Sequence, residues 1–297
     1  MVLSLIVPAL AWHGEGHVQS TTLAIDAIKD KLPDFFGQGK QIVAHCSVDP
    51  DIFKFRTDSK VLYRSEYPDH FCDMEYLQGD HLPETREAFA SLCHQKGHSP
   101  AQVGTLAYAI IDWTYRLAIA FAEYRQWPHN QAVQAKILVY AGNLAHYSED
   151  ACMPLHATVH WDGRMREDGK SPRSGIHNKV DALLGKLSAQ QIPTIDPNTL
   201  GPFKGDLLKH VEQALLNSQS RVDRIYALED QLPDQGAPLP ENGPVLSLTQ
   251  QHMTLSATFT ARLYLTAWER SQRIQIPSWH KRQDRLDEIP QENKGGQ

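Results

Sequence analysis

Apolar residues return every three or four positions along most of this chain, the mark of helices that bury one face. Residues 18 to 32 place Leu23, Ala24, Ile28 and Leu32 on such a face. Ser99-Pro100 reads as an N-cap followed by a proline at the first helical position, and it predicts a long helix carrying Val103, Leu106, Ile110, Leu117 and Phe121. Asn130 opens the next, with Val133, Ile137, Tyr140 and Leu144 as its stripe. Helical patterns also cover 175 to 188, 205 to 228 and 246 to 271, separated by Pro/Gly loops such as QIPTIDPNTLGPFKG and QLPDQGAPLPENGP. No stretch alternates with the period of a strand, and none repeats. The expectation is a mainly α protein: a single multi-helix domain from Trp12 to about residue 275, packed around a central site, with a polar, disordered tail over 276–297.

Composition narrows this picture only a little. The 297 residues are 41% hydrophobic and 22% charged, with a formal charge of -6, so no basic footprint advertises nucleic acid. Bound cations can supply the positive charge that a phosphate needs, which keeps phosphoester chemistry open. Residues 1–11, MVLSLIVPALA, are uncharged and end in the small-x-small pattern of a cleavage site. They read as an export signal lacking its basic start, implying a periplasmic or secreted protein; a buried first segment is the alternative. No other run approaches the roughly 20 apolar residues of a membrane span. Cys46, Cys72, Cys93 and Cys152 contain no C-x-x-C pair, and they are open to two disulfides or four buried thiols.

Histidine carries the chemistry. With 15 His and 21 Asp in 297 residues, about one His-x3-Asp pair is expected by chance. Four occur, among them His45/Asp49, His146/Asp150 and His177/Asp181. Four positions make one helical turn, so each pair can aim an imidazole and a carboxylate at one ion. Such a pair supplies only two of the four ligands that zinc takes. His156 follows a turn broken by Pro154 and can approach from a loop, while the two oxygens of Asp150 can reach two ions. Upstream, YPDHFCDMEY offers His70 and VDPDIFK offers Asp51, with Asp49 two residues before it competing for the same position. WHGEGH offers His17, and a Trp12 freed by export could chelate through its amino nitrogen and carbonyl oxygen.

Taken together, Trp12-x4-His17, Asp51, His70, His146-x3-Asp150-x5-His156 and His177-x3-Asp181 resemble the nine ligand positions of the zinc-dependent phospholipase C and single-strand nuclease superfamily. SATFTARLYLTAW is similar to that family's closing core helix, so the resemblance covers most of the domain. It implies three Zn2+ ions. Asp51, His70, His146 and Asp150 would hold the first, His156, His177 and Asp181 the second, and Trp12, His17 and the other oxygen of Asp150 the third. It also implies phosphodiester hydrolysis by a metal-activated hydroxide, which Asp51 would orient as a catalytic residue.

Substrate is less constrained. Asp181 as the last acidic ligand and the Trp-x4-His spacing are nuclease-like, but the Gly-Gly-Asn and Asn-Leu elements of nuclease members are replaced within PLHATVHWDGRMREDGKSPRSGIHNKVD. The first expectation is therefore an exported single-strand nuclease or 3′-nucleotidase. A phospholipase C that releases a phosphorylated headgroup from phospholipid is the alternative, and a secreted zinc-binding protein without turnover the third. Phe71, Tyr76 and Trp161 stand near ligands and could stack bases or line an acyl groove, if they are not simply core. His45/Asp49 has no place in the ligand pattern. His160, four after His156, lacks the glutamate of a zincin motif and reads as a supporting or surface residue. Nothing in the sequence points to a stable protein partner or an oligomeric state.

Overall fold

The structure, a computed structural model, describes residues 14–54 and 59–284. Its helices are α1 (Gly14–Ile28), the short α2 to α7 (Asp34–Gln38, Lys40–Cys46, Asp49–Phe53, Lys60–Glu66, Arg86–Gln95, Pro100–Val103), α8 (Leu106–Gln126), α9 (Gln131–Asp150), α10 (Ile176–Asp181), α11 (Leu207–Gln219), α12 (Val222–Ala227) and α13 (Pro244–Arg270). They form one mainly helical domain. No strand occurs among the described residues, where Trp161 and Gly163 form only an isolated bridge within a loop.

Helix α9 is the axis. Asn130 accepts from the Val133 amide at 3.1 Å and starts it, as the sequence predicts. Its first half buries a stripe, but from Ala141 to Asp150 every residue is buried, so the helix runs into the interior with no solvent face left. Helices α8, α13 and α3 cover it, and α1 packs across α13 and α3. Polar contacts pin the bundle in register: Ser148 Oγ lies 2.7 Å from Thr260 Oγ1, and Tyr264 donates to the Ala141 carbonyl at 2.9 Å. The closing segment 256–268 lies within α13 and is almost wholly buried, as expected of a core helix. A second apolar cluster, with Met153, Leu155, Val180, Leu184, Ile225 and Leu248, anchors the loops that follow α9.

The structure departs from the simple helical pattern in several places. The long helix predicted from Ser99 is two. Ser99 and Gln102 form the capping box, but Gly104 turns the chain at φ +92° and α8 begins only at Leu106. A Cβ on Gly104 would stand 2.0 Å from the Phe71 carbonyl oxygen. Its absence lets Thr105 N donate to Pro68 O at 2.7 Å and Leu106 N to Phe71 O at 3.2 Å. The free amides at the start of α8 are thus satisfied by the turn that carries His70, which they hold in place. The pattern at 175–188 likewise ends as a helix at Asp181, and that at 205–228 breaks between α11 and α12.

All four cysteines are buried free thiols, which settles the cysteine question against disulfides. Burial, with Asp49 beside it, pushes Cys46 up to about 11, far from a reactive thiolate. The tail predicted from 276 does not leave the domain at once. Arg282 pairs with Glu123 at 2.9 Å and Asn130 donates to the Gln283 carbonyl at 2.5 Å. The export segment 1–11 and Trp12 lie outside the described residues, as does 285–297. Among the described helices none is long and apolar enough to cross a membrane.

Gly142 sets how closely α3 approaches α9. A Cβ there would lie 2.5 Å from Cys46 Cβ and 2.7 Å from the Val43 carbonyl oxygen. Gly142→Ala should therefore destabilise the protein by about 1–3 kcal/mol in denaturant unfolding. Alanine's advantage of about 1 kcal/mol within a helix would act the other way. An unchanged or raised unfolding midpoint would show that the two helices are not in this contact.

Candidate metal centre

The last turn of α9 brings His146 and Asp150 to one face. His146 Nδ1 lies 2.8 Å from the Ser47 carbonyl, a contact in which the ring must donate, so Nε2 is the nitrogen left facing the interior. That Nε2 is 3.3 Å from Asp150 Oδ2, 3.6 Å from Asp51 Oδ1 and 3.0 Å from His70 Nδ1. Asp51 sits in α4, which Pro50 opens, and is 2% exposed. Asp49 is only half-buried and bonds Cys46 instead, while His45 is exposed on α3. The choice between the two aspartates therefore falls on Asp51. His70 ends a short 3-10 turn, Tyr67–His70, with Nδ1 3.1 Å from Asp150 Oδ2.

A second group forms on the other oxygen. His156 Nδ1 lies 3.2 Å from Asp150 Oδ1, and its Nε2 is 3.9 Å from Asp181 Oδ1. In α10 the predicted one-turn spacing puts His177 Nε2 3.0 Å from Asp181 Oδ2, and His177 Nδ1 donates to the Trp161 carbonyl at 3.2 Å. The backbone ties the two groups together, since Cys72 N donates to His156 O at 2.8 Å. His17 stacks on His146 at 4.1 Å and points Nε2 toward Asp150 Oδ1, 3.7 Å away. Eight of the nine sequence-predicted ligands thus converge on three adjoining groups: His17 with Asp51 and His146, His70 with His146 and Asp150, and His156 with His177 and Asp181. The ninth, Trp12, lies outside the described residues.

These groups fit cations better than they fit each other. His17 Nε2, Asp51 Oδ2, Asp150 Oδ1 and Asp181 Oδ1 are buried without a hydrogen-bond partner. Buried acceptors left unpaired cost roughly 1–3 kcal/mol each, and several of them turned inward make a cage for positive charge. Burial drives His17 well below the usual histidine range, helped by His146, and drives His70 down with help from Lys54. Both are neutral, the ligating form. Burial opposes charge on Asp150 too, but His156 and His146 outweigh it and hold its carboxyl well below the usual range. Burial also opposes protonation of His146 and His177; Asp150 and Asp51 raise the first regardless, and Asp181 raises the second.

Several supporting residues were not read from the sequence. Glu149, wholly buried, sits 2.7 Å from His17 Nδ1 and accepts from Thr21 Oγ1 at 2.9 Å, fixing the ring so that Nε2 faces the cluster. Its signal was an acidic residue inside a helix turn with no exposed side. Glu66, engaged by the Tyr147 hydroxyl, stands 3.8 Å from His70 Nε2. Lys54, one turn after Asp51, contacts Asp51 Oδ1 at 2.6 Å; burial disfavours its charge, but Asp51 and Asp150 raise its pKa. The Asp-x-x-Lys spacing was visible and unused.

Beside the cluster opens a cavity of about 310 Å3, with Lys54, His70, His156 and His177 among its lining. Phe71, Tyr76 and Trp161 all border it, together with Tyr67, so the aromatics singled out by position do gather at one place. Trp161 stands edge-on to His177 at 5.7 Å. His160 is not part of the set: its Nδ1 accepts from Met165 N at 3.0 Å and shapes the loop. Compared with protein-family models, curated proteins and solved structures, the chain gives no significant match.

Two outcomes follow from this geometry. Glu149→Ala, which leaves His17 Nδ1 unpaired, should weaken the tightest-bound metal that His17 touches by about 10–100-fold in chelator competition, and Glu149→Gln should weaken it less; equal, unchanged affinities would remove Glu149 from the site. Because His146 and His177 are raised, metal entry must displace their protons. Apparent affinity should fall as pH drops through those raised values, and calorimetry in buffers of different ionisation enthalpy should register proton release.

Proposed function

We propose that this protein is an exported, zinc-dependent phosphodiesterase that acts on single-stranded nucleic acid or on nucleotide 3′-phosphates. The observation that carries the reading is Asp150, one buried carboxylate whose two oxygens face two different histidine groups, next to a cavity walled by aromatic rings. Asp51, His70, His146 and Asp150 would hold one ion, His156, His177 and Asp181 a second, and His17 with Asp150 and the Trp12 terminus a third. When bound, such ions act as Lewis acids on a phosphoryl group and make water acidic near neutral pH.

The chain's own groups supply the rest. Asp51 stands beside His146 and His70, and its Oδ2 has no hydrogen-bond partner, so the carboxylate can accept a proton from the attacking water and orient it. Lys54 keeps its charge at the cavity floor and can pair with a non-bridging phosphoryl oxygen. Phe71 and Trp161 offer faces on which a base can stack, worth about 1–3 kcal/mol per base. A base still paired and stacked in a duplex cannot offer both faces, which favours single strands. No side-chain nucleophile is needed.

A phospholipase C remains the second reading, supported by a specific observation. Ile52 in α4 and Val61 in α5 are 63% and 80% exposed, and Lys54, which follows α4, lines the cavity together with Tyr67. Exposed apolar side chains on α4 and α5 suit a lipid surface better than a nucleic acid.

Metal analysis and paired assays decide. About three zinc ions per chain and cleavage of single-stranded DNA but not phosphatidylcholine are expected, with activity lost on EDTA treatment. Asp181→Asn should cost more than the roughly 100-fold that loss of an outer partner costs, whereas His45→Ala should be silent. Cleavage of phosphatidylcholine alone would select the second reading. Full activity after exhaustive chelation would defeat both.

A further inference from the structure

Two residues beyond Asp150, Cys152 forms part of the wall of a second cavity, about 240 Å3, between α11 and α13. Phe203 and Phe259 meet edge to face at 5.6 Å among its lining and give it an apolar floor. Around them stand Arg221, Arg262 and His210, and among the described residues that line the space none is acidic. This inverts the balance of a chain with a net charge of -6. Some arginines of the chain are neutralised by carboxylates, as Arg86 is by Asp112 and Arg164 by Asp223. Here Arg221 donates to the Asn217 carbonyl and Arg262 to the Gly201 carbonyl at 3.1 Å, and neither faces a carboxylate among the described residues. The Arg262 guanidinium lies 3.9 Å from the centre of the Phe203 ring, and burial without a counter-charge lowers its pKa.

An uncompensated guanidinium stacked on an aromatic ring, with a second arginine lining the same cavity, is a receptor for an anion on a flat apolar body. Size narrows the ligand further. A cavity of roughly 150 Å3 accepts one benzene ring, so 240 Å3 leaves room for a ring and a headgroup but not for an acyl chain or a dinucleotide.

We propose that this cavity is a binding site, separate from the metal cluster, for a small aromatic anion: a ring bearing a carboxylate, phosphonate or phosphate. The ring lies against Phe203 and Phe259, and the anionic group bridges Arg221 and Arg262. Gln213 and Thr258 supply additional polar contacts at the same wall.

The test is calorimetric titration of the metal-loaded protein with phenylphosphonate and with benzoate. Saturable binding of phenylphosphonate is expected in the wild type and equally in Asp181→Asn, which alters the metal cluster. Arg221→Gln should weaken it about tenfold or more, as removal of one charge-assisted contact does. Leu255→Trp fills the space from its partly exposed rim and leaves both arginines in place, so it should abolish binding in a protein that still folds. Comparable benzoate affinity would show that one negative charge suffices, and a preference for phenylphosphonate that both guanidiniums engage a dianion. No saturable binding, binding unchanged by both cavity variants, or loss of binding in Asp181→Asn would overturn the proposal.

Discussion

Asp150 is wholly buried from bulk solvent, and no single partner neutralises it. One oxygen faces His70 and His146, the other His156 and His17, so the carboxylate keeps its charge only while imidazoles surround it on both sides. Every larger feature of the fold serves that arrangement. Helix α9 must carry Asp150 into the interior, which is why its last ten residues have no exposed face. Five other segments, α1, α4, the Tyr67–His70 turn, the turn that ends at His156 and α10, must then deliver their side chains around its end.

Delivery depends on a polar contact to the outer nitrogen of each ring. The Ser47 carbonyl turns the His146 ring, the Trp161 carbonyl turns His177, and Glu149 turns His17. Each contact uses up one ring nitrogen and leaves the other for the cluster. Ser47 stands where it does because α3 lies against Gly142, and the His70 turn is held because Gly104 lets α8 begin against it. Two glycines with no side chain to offer the cluster thus govern where His146 and His70 stand, through how closely two backbones approach.

What could be read from the sequence divides along the same line. His146/Asp150 and His177/Asp181 were legible because a helical turn repeats every four residues, and that local rule survives folding. His17, His70, Asp51 and His156 were legible only through the overall pattern of spacings, since nothing local marks a histidine in a 3-10 turn as a ligand. Asp51 and Asp49 differ in the sequence by two positions; burial separates them. Lys54 and Glu149 escaped because their importance comes from who faces them across the bundle, at separations such as the 132 residues between His17 and Glu149. The short helices between residues 34 and 95 escaped for a simpler reason: five to ten residues hold too few turns for periodicity to show. The break at Gly104 went unseen because the apolar period continues through it.

In the proposed metal-bound form, the shared carboxylate would couple the ions that it holds. A cation drawn to one oxygen of Asp150 would withdraw electron density from the other and at the same time fix the side chain in place. The first effect would make a second ion harder to bind, and the second effect would make it easier. Metal uptake would then be cooperative in one direction or the other rather than a sum of independent equilibria, and partly loaded protein would be a set of distinct species with distinct chemistry.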